Sequence, residues 1–215
     1  MGTKIFIHSA RMSFPKLGVP EYFQGKKQRE NDQRAWSASA LVAPDTLAQR
    51  CDANGTPVGE KVNAVKLIND TLAALATEKW GARGPAVLKA ILPDPKGCCW
   101  TDGDLKGLDG YAGNWVLAAK RSENDGRPLA MDNDRSPIYR EDGSLYDGKA
   151  GRLFGGCYVN FHVELWPQDN ASGKGMRAGL LGVQRVKAGD SFGGATAPKA
   201  DAFAAVPDDE ADELM

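Results

Sequence analysis

The sequence predicts a mainly-β fold, a small partly open barrel of about five strands interrupted by one long helix. Three observations lead there. Twenty-five glycines and twelve prolines divide the 215 residues into short segments, which suits strands and turns better than a helical bundle. Many of these segments are short apolar stretches, and two of them, KIFIH and CYVNFHVELW, alternate apolar and polar residues, the period-two signature of a half-buried strand. A single stretch, residues 60–81, repeats its apolar residues at three- and four-residue steps instead.

The elements follow in chain order. Lys4–His8 (KIFIH) alternates as a first strand, and a basic, aromatic stretch follows it with Arg11, Phe14, Lys16, Tyr22, Phe23, Lys26, Lys27 and Arg29. RAWSASALVA, residues 34–43, is rich in small and β-compatible side chains, is closed by Pro44 and reads as a second strand. In EKVNAVKLINDTLAALATEKWG, Val62, Val65, Ile68, Leu72 and Leu75 line one helical face, with Gly59 before it and Gly81 as C-cap. Residues 85–92 add a short helix beginning at Pro85. The Pro-, Gly- and Asp-rich run 93–113 reads as a long loop. NWVLAAKR (114–121) then predicts a strand with RPLAMD (127–132) as its hairpin partner. After another polar loop, CYVNFHVELW sets Val159, Phe161, Val163 and Leu165 on one face and Tyr158, Asn160, His162, Glu164 and Trp166 on the other. A turn at Gln168–Gly173 leads to a partner strand, residues 175–189, in which Gly179 and Gly182 are candidate bulges. Together these describe an OB-type, five-stranded antiparallel barrel with one long inserted helix and extended loops. From Ala188 onward Gly, Ala and Pro dominate, a composition that cannot bury a core. The predicted division is therefore a domain over 1–194 and a flexible, disordered acidic C-terminal tail over 195–215.

Charge is unevenly distributed. The last fifteen residues, DAFAAVPDDEADELM, carry six acids and no base, whereas the first two hundred hold all 27 Lys and Arg against 22 acids. A body of net +5 is thus joined to a tail of −6. Basic bodies seek polyanions, and a terminal acidic block resembles one, so the tail is expected to compete for the body's own site. Solubility alone is the plainer reading of such a tail. No apolar run approaches the ~20 residues that span a bilayer, and MGTKIFIHSA is too short and polar for a signal peptide. The expectation is a cytoplasmic protein with no membrane partner. Cys51, Cys98, Cys99 and Cys157 form no CxxC pair, and His8 and His162 are the only histidines, so no metal or other cofactor is predicted.

The ordered set GCYVN, QDN, GLLGVQ and FGG, within DGYAGNWVLAAKR, RPLAMD, GCYVNFHVELWPQDN and GLLGVQRVKAGDSFGG, resembles the tailed-phage single-stranded-DNA-binding proteins. The resemblance spans roughly residues 3–194, and the acidic tail adds to it. It implies an OB fold, sequence-tolerant binding of single-stranded DNA in phage replication and recombination, and no catalysis. It also implies contact with replication proteins (polymerase, helicase or primase) through the tail, in the host cell cytoplasm. A homodimer is a candidate assembly.

Binding single strands without sequence preference needs aromatic faces on which bases stack and cations that track the phosphates. The predicted strands offer Arg34 with Trp36, Trp115 with Lys120 and Arg121, Tyr158 and Trp166, and Arg177, Arg185 and Lys187. Tryptophans in a barrel serve packing as often as stacking, and Trp80 and Trp100 are assigned to packing or loop anchoring. Phe161 belongs to the core face. In the tail, Asp208, Asp209, Glu210, Asp212 and Glu213 form the acidic cluster, with Leu214 and Met215 as an apolar anchor. No catalytic residue is predicted. SGKG at 172–175 lacks the rest of a phosphate loop, and Pro137 interrupts the calcium-loop-like start at Asp132, Asp134 and Ser136. Two rival readings remain: a metal-dependent nuclease using Asp102, Asp104, Asp132 and Asp134, and an RNA-binding or virion structural protein.

Overall fold

A computed structural model describes residues 2–22, 25–27, 30, 32–171 and 173–192; the acidic tail predicted over 195–215 lies outside them. Among the described residues the strands are β1 (Thr3–Glu21), β2 (Ala35–Val42), β3 (Leu47–Cys51), β4 (Pro57–Asn63), β5 (Trp100–Asp102), β6 (Trp115–Ser122), β7 (Leu129–Met131), β8 (Tyr158–Asn170) and β9 (Gly173–Lys187). Two α-helices, α1 (Ala64–Trp80) and α2 (Gly84–Ile91), lie between β4 and β5.

Five strands close a ring. β1 pairs with β2 and β8, β8 with β9, β9 with β6, and β6 with β2. In chain order this is the first strand beside the second and fourth, and the third beside the fifth, the arrangement of an OB-type barrel. One seam departs from the antiparallel expectation. β6 and β9 run parallel and meet at a single pair, Lys120↔Gly179. Below that point β9 pairs in parallel with β7, at Leu129–Met131 against Gly182–Gln184. RPLAMD is therefore no hairpin partner of β6; it fills the seam where β6 and β9 diverge.

β1 is much longer than the alternating KIFIH segment because irregularities in its pairing let it bend across the barrel. Its register slips against β8 between Ile7 and Ala10, and against β2 between Ser13 and Lys16. Ser9 (φ 49°) and Phe14 (φ 45°) sit at these two places with left-handed backbone. The bulges of β9 fall beside Gly182, where His162 pairs with Gly182 and Val163 with Leu180, and near Val186. Gly179 is not bulged; it lies where β6 crosses β9.

Val159, Phe161, Val163 and Leu165 are fully buried, as the alternation of β8 requires. Each such side chain contributes roughly 1.5–3 kcal/mol of burial free energy, an upper estimate. α1 closes the barrel with Leu67, Ile68, Leu72 and Leu75. It begins at Ala64 because Asn63 caps it, its side chain accepting from the Lys66 amide at 2.9 Å. It ends at Gly81, whose φ of 59° suits a residue without Cβ. Val62 belongs to the β3–β4 hairpin instead, paired with Ala48 and exposed. The loop predicted at 93–113 holds the short strand β5, whose Trp100 is fully buried, stacks on Trp115 at 5.1 Å and donates to Asn69 Oδ1 at 3.0 Å.

Candidate nucleic-acid interface

The second and third strands of the ring, β2 and β6, form one continuous antiparallel face from Ala35↔Ser122 to Val42↔Trp115. Small residues, Ala35, Ala118 and Ser122, floor a groove of about 1040 Å³ that runs over this face. One wall is the segment around Pro95, Lys96, Cys98 and Cys99; the other is the β8–β9 hairpin with Trp166, Gln168 and Arg177. None of the lining residues belongs to either helix.

The walls are held by backbone and guanidinium contacts. Cys99 N donates to Met176 O and Met176 N to Gly97 O, each at 2.9 Å. Arg177 donates from Nε to Gln168 Oε1 and from Nη1 to Gly97 O, each at 3.0 Å. Glycine is required at 175 because a Cβ there would stand 2.8 Å from both Gly97 O and Arg177 Nη1. Arg177 is thus oriented by both walls at once.

Five cations line the groove, Arg34, Lys96, Lys120, Arg121 and Arg177, against the acids Asp32, Asp125 and Glu164. Lys120 sits at the β6–β9 seam. Although Lys120 is exposed, partial desolvation by the atoms around it, and then the positive Arg177, pull its pKa below the ordinary lysine value. Arg34 pairs with Glu123 at 2.7 Å, and that hydrogen bond raises the guanidinium's pKa and lowers the carboxyl's. Arg121 donates to Gly126 O at 2.6 Å and Asp125 O at 2.5 Å. Trp166, opposite the core face of β8, is 39% exposed and offers its ring to the groove.

Five of the ten predicted residues therefore come together: Arg34, Lys120, Arg121, Trp166 and Arg177. The others do not line this groove. Trp36 is buried, donates to Gly18 O and lies under the Arg127 guanidinium, 5.2 Å from its ring centre. Trp115 is covered by Trp100. Tyr158 and Lys187 meet at the far end of β8 and β9, the ammonium 4.7 Å from the ring centre. Arg185 points to the buried carboxylate of Asp132, 3.9 Å away. Lys96 is the groove cation that strand patterning missed, because it stands in a loop that only the contact with β9 brings to the site. Tail residues Asp208 to Met215 lie outside the described residues.

The carboxylates of the nuclease reading are otherwise engaged. Asp132 binds Arg152 and Lys149 at 2.8 Å, Asp134 accepts from Ser136 at 2.5 Å, Asp102 from the Asp104 amide at 3.0 Å, and Asp104 from the Gly113 amide at 2.7 Å. Among the described residues, no group of three or more His, Cys, Asp or Glu side chains is placed to hold a metal ion.

A five-stranded barrel with a cation-lined, aromatic-edged groove across its second and third strands defines the class of OB-type nucleic-acid-binding proteins. Within that class, the chain belongs to the family described as "Enterobacter phage Enc34, ssDNA-binding protein", which it matches over residues 3–215. It is 31% identical over 216 residues to a protein designated p50 of Acyrthosiphon pisum secondary endosymbiont phage 1, covering 99% of this chain and 98% of that protein. It shares its fold with the single-stranded DNA-binding protein from bacteriophage Enc34 in complex with ssDNA, at a TM-score of 0.62 and 22% identity over 88% of this chain and 89% of the other. A second structure of the single-stranded DNA-binding protein from bacteriophage Enc34 gives a TM-score of 0.61 and 23% identity over 93% of this chain and 89% of the other.

Proposed function

We infer that the protein binds single-stranded DNA along the β2–β6 groove during phage replication or recombination, without catalysing a reaction on it. The observation that carries this reading is the convergence of Lys120, Arg177 and Trp166 on one open groove in a chain of this family. The cations track the phosphates and Trp166 offers a face to any base, so sequence matters little. The groove presents no helix to a major groove, and its floor is a two-stranded ribbon of small side chains suited to an unpaired strand. The acidic tail is assigned two roles: competition with DNA for the basic groove, from its charge, and recruitment of replication proteins, from the resemblance to the phage single-stranded-DNA-binding family. The site of action is the host cell cytoplasm; no helix among the described residues is long and apolar enough to cross a membrane.

The test is fluorescence anisotropy with a labelled oligothymidine and a mixed-sequence strand, each against a duplex of equal length. The two single strands are expected to bind alike and more tightly than duplex. The log–log salt slope is expected to fall by about 0.7 for each phosphate neutralised. Equal affinity for duplex and single strand would overturn the reading.

A further inference from the structure

The groove does not end at Ala118. Pro95, Cys98, Cys99 and Ala118 also line a smaller recess of about 160 Å³, so the two compartments adjoin across these four residues. The far end of this recess is made by Phe14, Lys106, Leu108 and Tyr111. Phe14 is unusual in two respects. Its side chain is 63% exposed although it stands in the middle of β1. Its φ of 45° places it in the left-handed region, which a bulky residue adopts only under strain. The strain has a definite origin. β1 accommodates one extra residue against β2 between Ser13↔Ser39 and Lys16↔Ser37, and Phe14 lies in that bulge, just before Pro15. The bulge is held from beneath, because buried Tyr111 donates its hydroxyl to Ser13 Oγ at 2.8 Å and its ring stands 6.5 Å from that of Phe14. A glycine would take this backbone more easily, and a polar residue would suit the exposure better. Strained backbone that neighbouring structure enforces is found at functional sites, where it aims a side chain.

We propose that Phe14 is a stacking platform for a nucleobase, at the opposite end of the groove from Trp166, with Lys106 placed for the neighbouring phosphate. The inference rests on the single-strand reading above and extends it: the strand runs from Trp166 past Arg177 and Lys120, over Ala118, to Phe14. The two exposed rings hold its ends and the cations hold its middle.

The experiment uses the full chain and a labelled oligothymidine. Phe14→Ala and Phe14→Leu are expected to weaken binding by about 5- to 150-fold, the range for loss of one stacked base. Phe14→Trp, which keeps an aromatic face, is expected to hold affinity within about threefold of wild type. Phe14→Gly separates aim from stability, since it should melt at a higher temperature than wild type while binding as weakly as Phe14→Ala. Ultraviolet crosslinking should leave a thymidine adduct on the tryptic peptide of residues 12–16. The proposal is overturned if the folded Ala and Leu variants bind like wild type and crosslinks are confined to peptides bearing Trp166. Failure of the wild-type protein to bind any single strand is a separate result, and it removes the functional reading itself.

Discussion

At the scale of single residues, burial and partners divide side chains of one chemical type into different roles. Trp166 and Trp36 are both tryptophans on barrel strands, yet Trp166 is 39% exposed over the groove and Trp36 is 7% exposed beneath Arg127. Trp166→Ala is therefore expected to lower single-strand affinity by about 1–3 kcal/mol. Its effect on stability should stay within about 1 kcal/mol, because little packing is lost at an exposed site. Tyr158→Ala, outside the groove, is the matched control. Anisotropy titration with thermal melting of both variants decides the matter: a collapse in melting temperature with unchanged affinity in Trp166→Ala would make that ring a packing group.

Asp132 is the opposite case, a charge kept for structure. It is 1% exposed and accepts from Arg152 through both carboxylate oxygens, from Lys149 and from the Asn133 amide, with Arg185 nearby. These donors, Arg152 first, hold its pKa far below the usual carboxylate range despite burial. A depressed carboxylate stabilises the fold fully above its unfolded pKa of about 3.9, and that contribution is lost as pH falls toward the folded value. Asp132→Asn is expected to cost about 3 kcal/mol at pH 7, since it leaves partly buried cations unpaired. It should also flatten the acid limb of the stability curve below about pH 4. Urea unfolding of both proteins between pH 7 and pH 3 measures this; a constant difference across that range would deny Asp132 the role.

At the scale of elements, local periodicity marked what a segment is but not what it pairs with. β2, β6, β8 and α2 stand where the sequence placed them, β8 by alternation, β2 by its β-compatible side chains ahead of Pro44 and α2 by Pro85, because each buries one face against the barrel. The β3–β4 hairpin was illegible: of Leu47–Cys51 only Ala48 is buried and β4 is mostly exposed, so neither strand carries a two-faced pattern. For the same reason the helical pattern ran on into Glu60–Asn63, where pairing with β3 overrides helix propensity. RPLAMD read as a strand correctly, but its partner is β9, more than fifty residues on, and no local signal carries that. The site divides likewise. Aromatic and basic residues on strands were visible as types, and half of them share the groove, while Lys96 and Phe14 depend on a loop pinned by β9 and on a bulge whose left-handed backbone Pro15 does not announce.

At the scale of the whole molecule, the separation of charge becomes a question of where the chain leaves the barrel. Phe192, at the end of the described structure, lies under Arg11, whose guanidinium is 4.1 Å from its ring centre, and 6.3 Å from the Tyr111 ring. Arg11 also donates to Asp190 O at 2.6 Å, and Phe192 N to Gly155 O at 3.2 Å. The C-terminal segment is thereby fixed beside the residue that supports Phe14, at one mouth of the groove. Residues 193–215 follow, with an extended length of at most about 80 Å, ample to bring Asp208, Asp209, Glu210, Asp212 and Glu213 onto the groove cations. Being attached, that acidic cluster is expected to act at an effective concentration near the millimolar range, at which weak docking would compete with a DNA strand. Deleting residues 208–215 is expected to tighten single-strand binding severalfold at about 20 mM salt. The gain should shrink toward zero at about 300 mM, where the screening length falls to roughly 6 Å and both tail and phosphates are weakened. Neutralising the five acids to Asn and Gln, with chain length kept, should reproduce the gain, which separates charge from chain bulk. Anisotropy titrations of the three proteins across that salt range decide it: identical affinities at low salt would leave the tail without any hold on the groove.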